Sequence, residues 1–374
     1  MKQNSKDYIE NISPEKIQYS DDSLFNITSF GTDLTYRELY LMYEEGDLEK
    51  PEMQRNYVWT KKEASRFIDS VLLGLPVPSI FLAKTNDDKR LIVDGYQRIM
   101  TMHDYMKGVF SDTKTVFKLH KSEEINKEWR GKAFSELTEE QQRRLKTSPI
   151  HAIVFEQKSP QDDTGMYQIF ERINTGGRTL RPQEIRNCVY HGDFNRLLME
   201  LNKYPLWREV LRLDKEDRRM GDVELILRFF AFSEIFESNE IKLNQINLTK
   251  YLNEYMGKYC QISEEEYKNK GDLFKKVIEF LYNSVGENIF RTFKRKDDKI
   301  IWARKLHPVV FDAICTAVIT SKVDITKPIT NLKQRYVDLL SNSEFESAIT
   351  IRTTNIDNIK KRINLASNIL FGEK

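Results

Sequence analysis

Apolar residues along the first half of the chain follow two alternating periods. Ala64, Phe67, Ile68, Val71 and Leu72 recur at helical spacing and mark one buried stripe. Both ends of that helix are written in the sequence. Thr60 and Glu63 form a capping box, and Gly74 accepts the left-handed conformation that ends a helix. Residues 77–84 then predict a strand, 85–89 a turn and 90–93 a second strand. A helix follows over 95–107, with Ile99, Met102 and Met106 on one face and Gly108 as its stop. A short helix is expected at 35–43, another behind Thr138, and a strand at 150–155. Helices at 164–173 and 182–190 are joined by a glycine-containing loop.

Beyond about residue 195 the strand signals fade. Asp222 is expected to cap a strongly apolar helix running through Phe236, and 249–259, 263–286, 308–320 and 328–340 also read as helices. Residues 1–22 are polar and read as a poorly ordered arm. The expected fold class is α+β, with a mixed domain over 23–194 and a helical domain over 195–374.

Composition adds mainly exclusions. Of the 374 residues, 40% are hydrophobic, enough for real cores. The 59 basic and 57 acidic residues leave a net charge of +2, so only local patches can identify a charged partner. The longest apolar stretch, 71–83, is short and holds Pro76 and Pro78, so no membrane span is expected. Met1 to Tyr8 is polar and carries no signal-peptide pattern. Three scattered cysteines, Cys188, Cys260 and Cys315, make no disulfide framework and fit a reducing cytoplasm.

The main candidate chemistry sits at Asp94-Gly95-Tyr96-Gln97-Arg98, where an apolar strand turns into a helix. A helix start presents backbone amides and the positive end of the helix dipole, so anions bind there. Gly95 lets the backbone approach a phosphate, and Arg98, expected to be exposed, offers a fork of donors. Gln97 can orient water, and Asp94 can hold a metal or take a proton. An ordinary strand–turn–helix junction explains the same residues, with Asp94 as a cap and Arg98 solvated.

The run Leu-Ile-Val-Asp-Gly-Tyr-Gln-Arg resembles the signature of the prokaryotic family known as domain of unknown function 262, whose best-known member is the amino-terminal half of the GmrSD restriction enzyme. That signature is usually Asp-Gly-Gln-Gln-Arg, and Tyr96 stands where its first Gln would be. Three further blocks are similar to the family in the same order: Pro51-Glu52-Met53-Gln54-Arg55-Asn56-Tyr57-Val58-Trp59, the stretch 69–78, and Phe170-Glu171-Arg172-Ile173-Asn174-Thr175-Gly176-Gly177. The resemblance implies a ParB/sulfiredoxin-like fold for the first domain. It also implies nucleotide binding and hydrolysis, coupled to DNA restriction or phage defence. The expected substrate is a nucleotide triphosphate, with a divalent metal, Mg as the first choice, neutralising phosphate charge.

On that basis Asp94, Gln97 and Arg98 are the expected catalytic residues, with Asp94 at the metal. Gly95, Tyr96, Gln54, Arg55, Asn174, Gly176 and Gly177 are the expected nucleotide contacts. Each has a plainer alternative. Tyr57 and Trp59 can simply staple the next helix, with Arg55 solvated, and Asn174 to Gly177 can be a helix stop rather than an anion nest. His103 reads as structural, since no histidine pair has metal-ligand spacing.

The stretch 291–305 holds seven basic residues and two Asp, with Phe293 and Trp302 interleaved. Arg291, Lys294, Arg295, Lys296 and Trp302 are the DNA-binding candidates, against a merely solvated face. There is no Walker loop. The resemblance implies a carboxy-terminal nuclease of the His-Asn-His type in the restriction fusions; the last 60 residues here contain no histidine, so a partner nuclease chain is expected to supply cleavage. The competing readings are a non-catalytic ParB-like DNA-binding or scaffolding module switched by nucleotide, and a DNA-nicking nuclease.

Overall fold

The computed structural model describes residues 8–10, 25–50, 59–85, 88–111, 113–159, 164–173, 181–190, 192–217, 219–237, 246–297 and 299–372. The chain divides into two compact units. One comprises Asp21–Leu180 with Asn187–Val189, the other Met1–Ser20, Arg181–Arg186 and Tyr190–Lys374.

The first unit mixes helices with a small mixed sheet. Its elements are β1 (Phe25–Thr35), α1 (Tyr36–Glu45), β2 (Leu48–Glu49), α2 (Lys61–Leu73), β3 (Ile80–Lys84), β4 (Arg90–Asp94) and α3 (Tyr96–Lys107). The hairpin β5 (Val109–Phe110) and β6 (Thr115–Val116) comes next, then α4 (Glu139–Thr147), β7 (Pro149–Ser159) and α5 (Thr164–Ile173). The five-stranded sheet has the order β1-β7-β3-β4-β2. Pairing is antiparallel at β1–β7 and β3–β4, and parallel at β7–β3 and β4–β2.

The inner strands are the most apolar. Ile80, Leu82, Ala83, Leu91 and Ile92 are all buried, as a continuous apolar run on a strand covered on both faces should be. Ala64, Ile68, Val71 and Leu72 of α2 join Ile99 and Met102 of α3 in the same core. The capping box is present: Thr60 N donates to Glu63 Oε2 at 2.8 Å and Glu63 N to Thr60 Oγ1 at 3.3 Å. A buried carboxylate, Asp69 of α2, ties in the long polar segment before α4. Its Oδ1 accepts from Asn126 N at 2.9 Å and from Trp129 Nε1 at 2.7 Å.

β1 escapes the apolar pattern because it is an edge strand whose residues 27–31 are exposed, Ile27 and Phe30 included. Its register is set instead by the backbone ladder to β7, from Phe25 opposite Ser159 to Thr35 opposite Pro149.

After α6 (Pro182–Val189), the second unit contains α7 (Asp193–Asn202), α8 (Pro205–Leu211), α9 (Gly221–Glu237), α10 (Leu248–Lys258) and α11 (Glu264–Val285). A hairpin of β8 (Phe293–Lys296) and β9 (Lys299–Trp302) precedes α12 (Pro308–Thr320), α13 (Leu332–Ser341), α14 (Ser343–Thr350) and α15 (Ile356–Phe371). α12 is apolar nearly all round because it packs against both α9 and α15. Trp207 meets Phe274 and Phe311 in this core. No helix among the described residues is long and apolar enough to cross a membrane.

Three expectations are corrected here. Strand structure does not end near residue 195, since 293–302 form the β8–β9 hairpin. Asp222 is not a cap but a fully buried residue in the first turn of α9. Its Oδ2 accepts from Asn202 Nδ2, Arg208 Nη1 and Asp217 N at 3.1, 2.8 and 2.8 Å, which satisfies the buried charge. Within the polar leading segment, residues 8–10 are fixed: Ile9 bridges to Leu306, and Tyr8 Oη donates to Asp217 Oδ2 at 2.6 Å.

Asp69→Ala is expected to destabilise the first unit by about 2–3 kcal/mol, because it leaves the Asn126 amide and the buried Trp129 indole N–H without an acceptor. A denaturant melt followed by tryptophan fluorescence measures it, and an unchanged midpoint would mean the segment holds itself.

Candidate phosphate site

The turn from β4 into α3 is dictated by its neighbours. β4 ends at Asp94, and Gly95 takes φ 96° and ψ 5°, a left-handed conformation that strains any residue with a Cβ. Space is equally restrictive, since a Cβ on Gly95 would lie 2.4 Å from Ile80 Cγ2 on the neighbouring strand. The first internal helix bond is Ile99 N to Gly95 O at 3.0 Å, and Gly95 has no side chain with which to cap the turn. The amide end of α3 therefore begins beside the sheet without a side-chain cap from its own first residue.

The charged residues close over this turn. Arg98 Nη2 donates to Asp94 Oδ2 at 2.6 Å and to the Ser79 carbonyl at 3.2 Å. The Arg98 side chain is only 15% exposed, so it is not the solvated helix-start arginine the sequence suggests. Burial follows from its reach back under the turn to the chain entering β3. Among the described residues its buried Nε has no hydrogen-bond partner, and neither does the buried hydroxyl of Tyr36. Burial raises the Tyr36 phenol, and the positive charge of Arg98 acts against that rise. Sequence reasoning missed Tyr36, which leads α1 and reads as an ordinary core aromatic. Two buried donors, Arg98 Nε and the Tyr36 hydroxyl, thus lie without a hydrogen-bond partner among the described residues, and Asp94 in the same turn is exposed.

Gln97 is half-buried, and its Oε1 accepts from Trp59 N at 3.3 Å. That bond ties α3 to the segment entering α2. Tyr96 is turned inward: its side chain belongs to the core, burial pushes its phenol up to about 12, and Lys50 covers the ring at 5.9 Å. What Tyr96 can offer a ligand is its backbone amide. His103 is structural, with Nε2 2.7 Å from Glu44 Oε1 and its ring stacked on Tyr40. No group of three or more His, Cys, Asp or Glu side chains among the described residues is arranged as a metal site. Gln54, Arg55, Asn174, Gly176 and Gly177 lie outside the described residues.

The basic stretch of the second unit is split by the fold. Lys294, Arg295 and Lys296 are exposed on β8. Arg291 is fully buried, with Nη1 donating to Glu287 O and Ile289 O, Nη2 to Val210 O at 2.8 Å and Nε to Arg304 O. It is a strut for four carbonyls and is withdrawn as a DNA contact. Burial lowers its pKa to about 10. Trp302 is half-buried and lies flat on Tyr336, with ring centroids 5.9 Å apart and planes 4° apart. It anchors the hairpin rather than standing free for a base.

Residues 36–191 match the family model described as GmrSD restriction endonuclease, N-terminal domain. The chain therefore carries a domain resembling the amino-terminal half of GmrSD, and the Asp94–Arg98 turn lies inside it. No curated protein matches the chain. No solved structure matches it either.

Gly95→Ala is expected to cost on the order of 1–3 kcal/mol from the left-handed backbone, and more from the collision with Ile80. Arg98→Ala is expected to cost about 1 kcal/mol through the lost Ser79 bond, the half-exposed Asp94 pair adding little. Thermal melts of the two variants check the order; an Arg98→Ala protein less stable than Gly95→Ala would reverse it.

Proposed function

We propose that this chain binds a nucleotide triphosphate at the start of α3 and hydrolyses it, and that hydrolysis gates a nuclease in a prokaryotic DNA-restriction or phage-defence system. The observation that carries the reading is the turn at Gly95, which joins a helix start without a side-chain cap to a facing Asp94–Arg98 pair inside the segment that matches the GmrSD N-terminal domain. The reading includes a ParB/sulfiredoxin-like first domain, a helical second domain and a cytoplasmic setting.

Phosphate oxygens would accept from the first-turn amides of α3 and compete with Asp94 for the Arg98 guanidinium. Asp94, released from that pair, is the one exposed carboxylate of the turn. A single carboxylate suits Mg, which is commonly bound through one or two carboxylates together with substrate phosphates. The metal would neutralise phosphate charge. Gln97, fixed by the Trp59 amide, would orient the attacking water.

The exposed tip of the β8–β9 hairpin favours a second reading, a nucleotide-switched DNA-binding module without turnover. Lys294, Lys296 and Lys299 stand there with Arg295, an arrangement suited to the phosphate backbone.

Asp94→Ala is expected to retain triphosphate binding and lose most turnover, whereas Arg98→Ala loses affinity as well. Steady-state hydrolysis with each triphosphate and Mg, alongside equilibrium binding, checks this. Full turnover in folded Asp94→Ala sinks the hydrolytic reading. Binding without turnover in the wild-type protein favours the switch.

Replacing Lys294, Arg295 and Lys296 together by Ala is expected to weaken DNA binding and flatten its salt dependence by about one unit of slope per lost phosphate contact. A salt titration of DNA affinity reads it, and an unchanged slope makes the hairpin a solvated face.

A further inference from the structure

The second unit encloses a cavity of about 590 Å³ that belongs to none of the chemistry above. All of its lining residues lie within that unit, and none comes from the α3 turn. The volume falls in the range of small-molecule sites, roughly 300–1,000 Å³. Its lining has two characters. Phe232, Ile246, Leu248, Leu252 and Ile359 make an apolar wall. Arg181, Arg186, Arg219, Arg228, Lys305 and Arg362 bring positive charge, against Glu10 and Glu224 as the lining carboxylates.

Three of the arginines are accounted for. Arg186 pairs with Glu224 at 3.1 Å and also donates to Asn253 and Gln183. Arg219 pairs with Glu184 at 3.1 Å. Arg228 pairs with Asp312, its Nε donating to Oδ1 at 3.0 Å.

Arg362 is different. It is 1% exposed, and among the described residues it makes no direct ion pair, feeling Asp312 only through space. Nη1 donates to Thr353 O at 2.7 Å and to Ala348 O at 3.5 Å, and Nε has no partner among the described residues. Thr353 itself lines the cavity. Burial lowers the Arg362 pKa to about 10. Nearby, His307 is pushed down to about 4 by burial, and then by the positive charges of Arg362 and Arg228. The favourable charge acting on Arg362 is the Asp312 carboxylate, which is already paired with Arg228. A buried cation without a carboxylate in direct contact is costly, and an anion entering the cavity would offset that cost. Arginine forks match phosphate oxygens, and the apolar wall next to them matches a flat ring system.

We infer that this cavity is a second ligand site, taking a nucleotide-sized organic phosphate with its phosphate on Arg362 and its ring against Phe232 and Leu248. The inference goes beyond the α3 reading and stands or falls separately from it.

The test uses the full chain, with adenosine 5′-monophosphate as probe and adenosine and inorganic phosphate as controls. Binding is followed by calorimetry and by the melting midpoint, in the wild type, in Arg98→Ala and in Arg362→Met. The monophosphate is expected to bind and raise the midpoint in both the wild type and Arg98→Ala. Arg362→Met is expected to weaken it by about tenfold or more, since a charge-assisted contact is lost. Adenosine is expected to bind at least about tenfold more weakly than the monophosphate.

Loss of binding in Arg98→Ala with retention in Arg362→Met overturns the inference and assigns the ligand to α3. Absence of binding in the wild type overturns it as well, leaving Arg362 a link to the 348–353 carbonyls. If Arg362→Met fails to fold by circular dichroism, Arg181→Ala at the exposed end of the lining decides. Weakened monophosphate binding there supports the inference, and unchanged binding overturns it.

Discussion

Between β3 and the start of α3 there is room for a hydrogen atom and nothing larger. Ile80 stands where a Cβ on Gly95 would be, and the backbone at Gly95 is left-handed. That close approach lets the chain leave β4 and enter a helix within one residue. It also puts Arg98 one turn further on, directly below the strand end, where it reaches both Asp94 and the Ser79 carbonyl. The geometry of the candidate site thus follows from a packing constraint in the core of the sheet. With a wider turn, the helix amides and the guanidinium would not share one niche.

Buried arginines recur through both units, and how completely each is satisfied separates structure from function. Arg291 gives its donors to carbonyls around it and can only be a strut. Arg186 is satisfied by two amide oxygens and a carboxylate. Among the described residues Arg98, Arg208 and Arg362 each keep a buried Nε without a partner, but Arg208 is tied to the buried Asp222 carboxylate and is structural. A guanidinium held away from water with a donor unspoken for is ready to bind an oxyanion, because the cost of burial has already been met by folding. Arg98 and Arg362 belong to the two places proposed to take a phosphate, one at a helix start and one in a two-walled cavity.

Much of the first unit was legible because its signals are local. Thr60, Gly74, Gly108 and Thr138 mark helix ends through bonds to residues three or four positions away, and these positions do cap α2, α3 and α4. The strand–turn–helix order around Asp94 follows from the same short range. What was not legible depends on distant partners. β1 is polar and takes its place from β7, more than a hundred residues later. Asp222 resembles a cap in sequence, yet it is held by Asn202 and Arg208. The basic run 291–305 gives no hint that Arg291 is buried while Lys294 is exposed, because both facts come from the pairing of β8 with β9 and from the Val210 carbonyl. Arg362 carried no sequence signal at all, since its lack of a carboxylate in direct contact is a property of the folded surroundings.

The central claim is that the α3 amides receive phosphate. Hydrogen–deuterium exchange on the full chain, with and without a non-hydrolysable nucleotide triphosphate and Mg, tests it at those atoms. Exchange across residues 95–99 is expected to slow markedly on addition of nucleotide, because the first-turn amides would donate to phosphate oxygens. Unchanged exchange across 95–99 at a nucleotide concentration that saturates the protein would contradict it, and the turn would then be a packing junction alone.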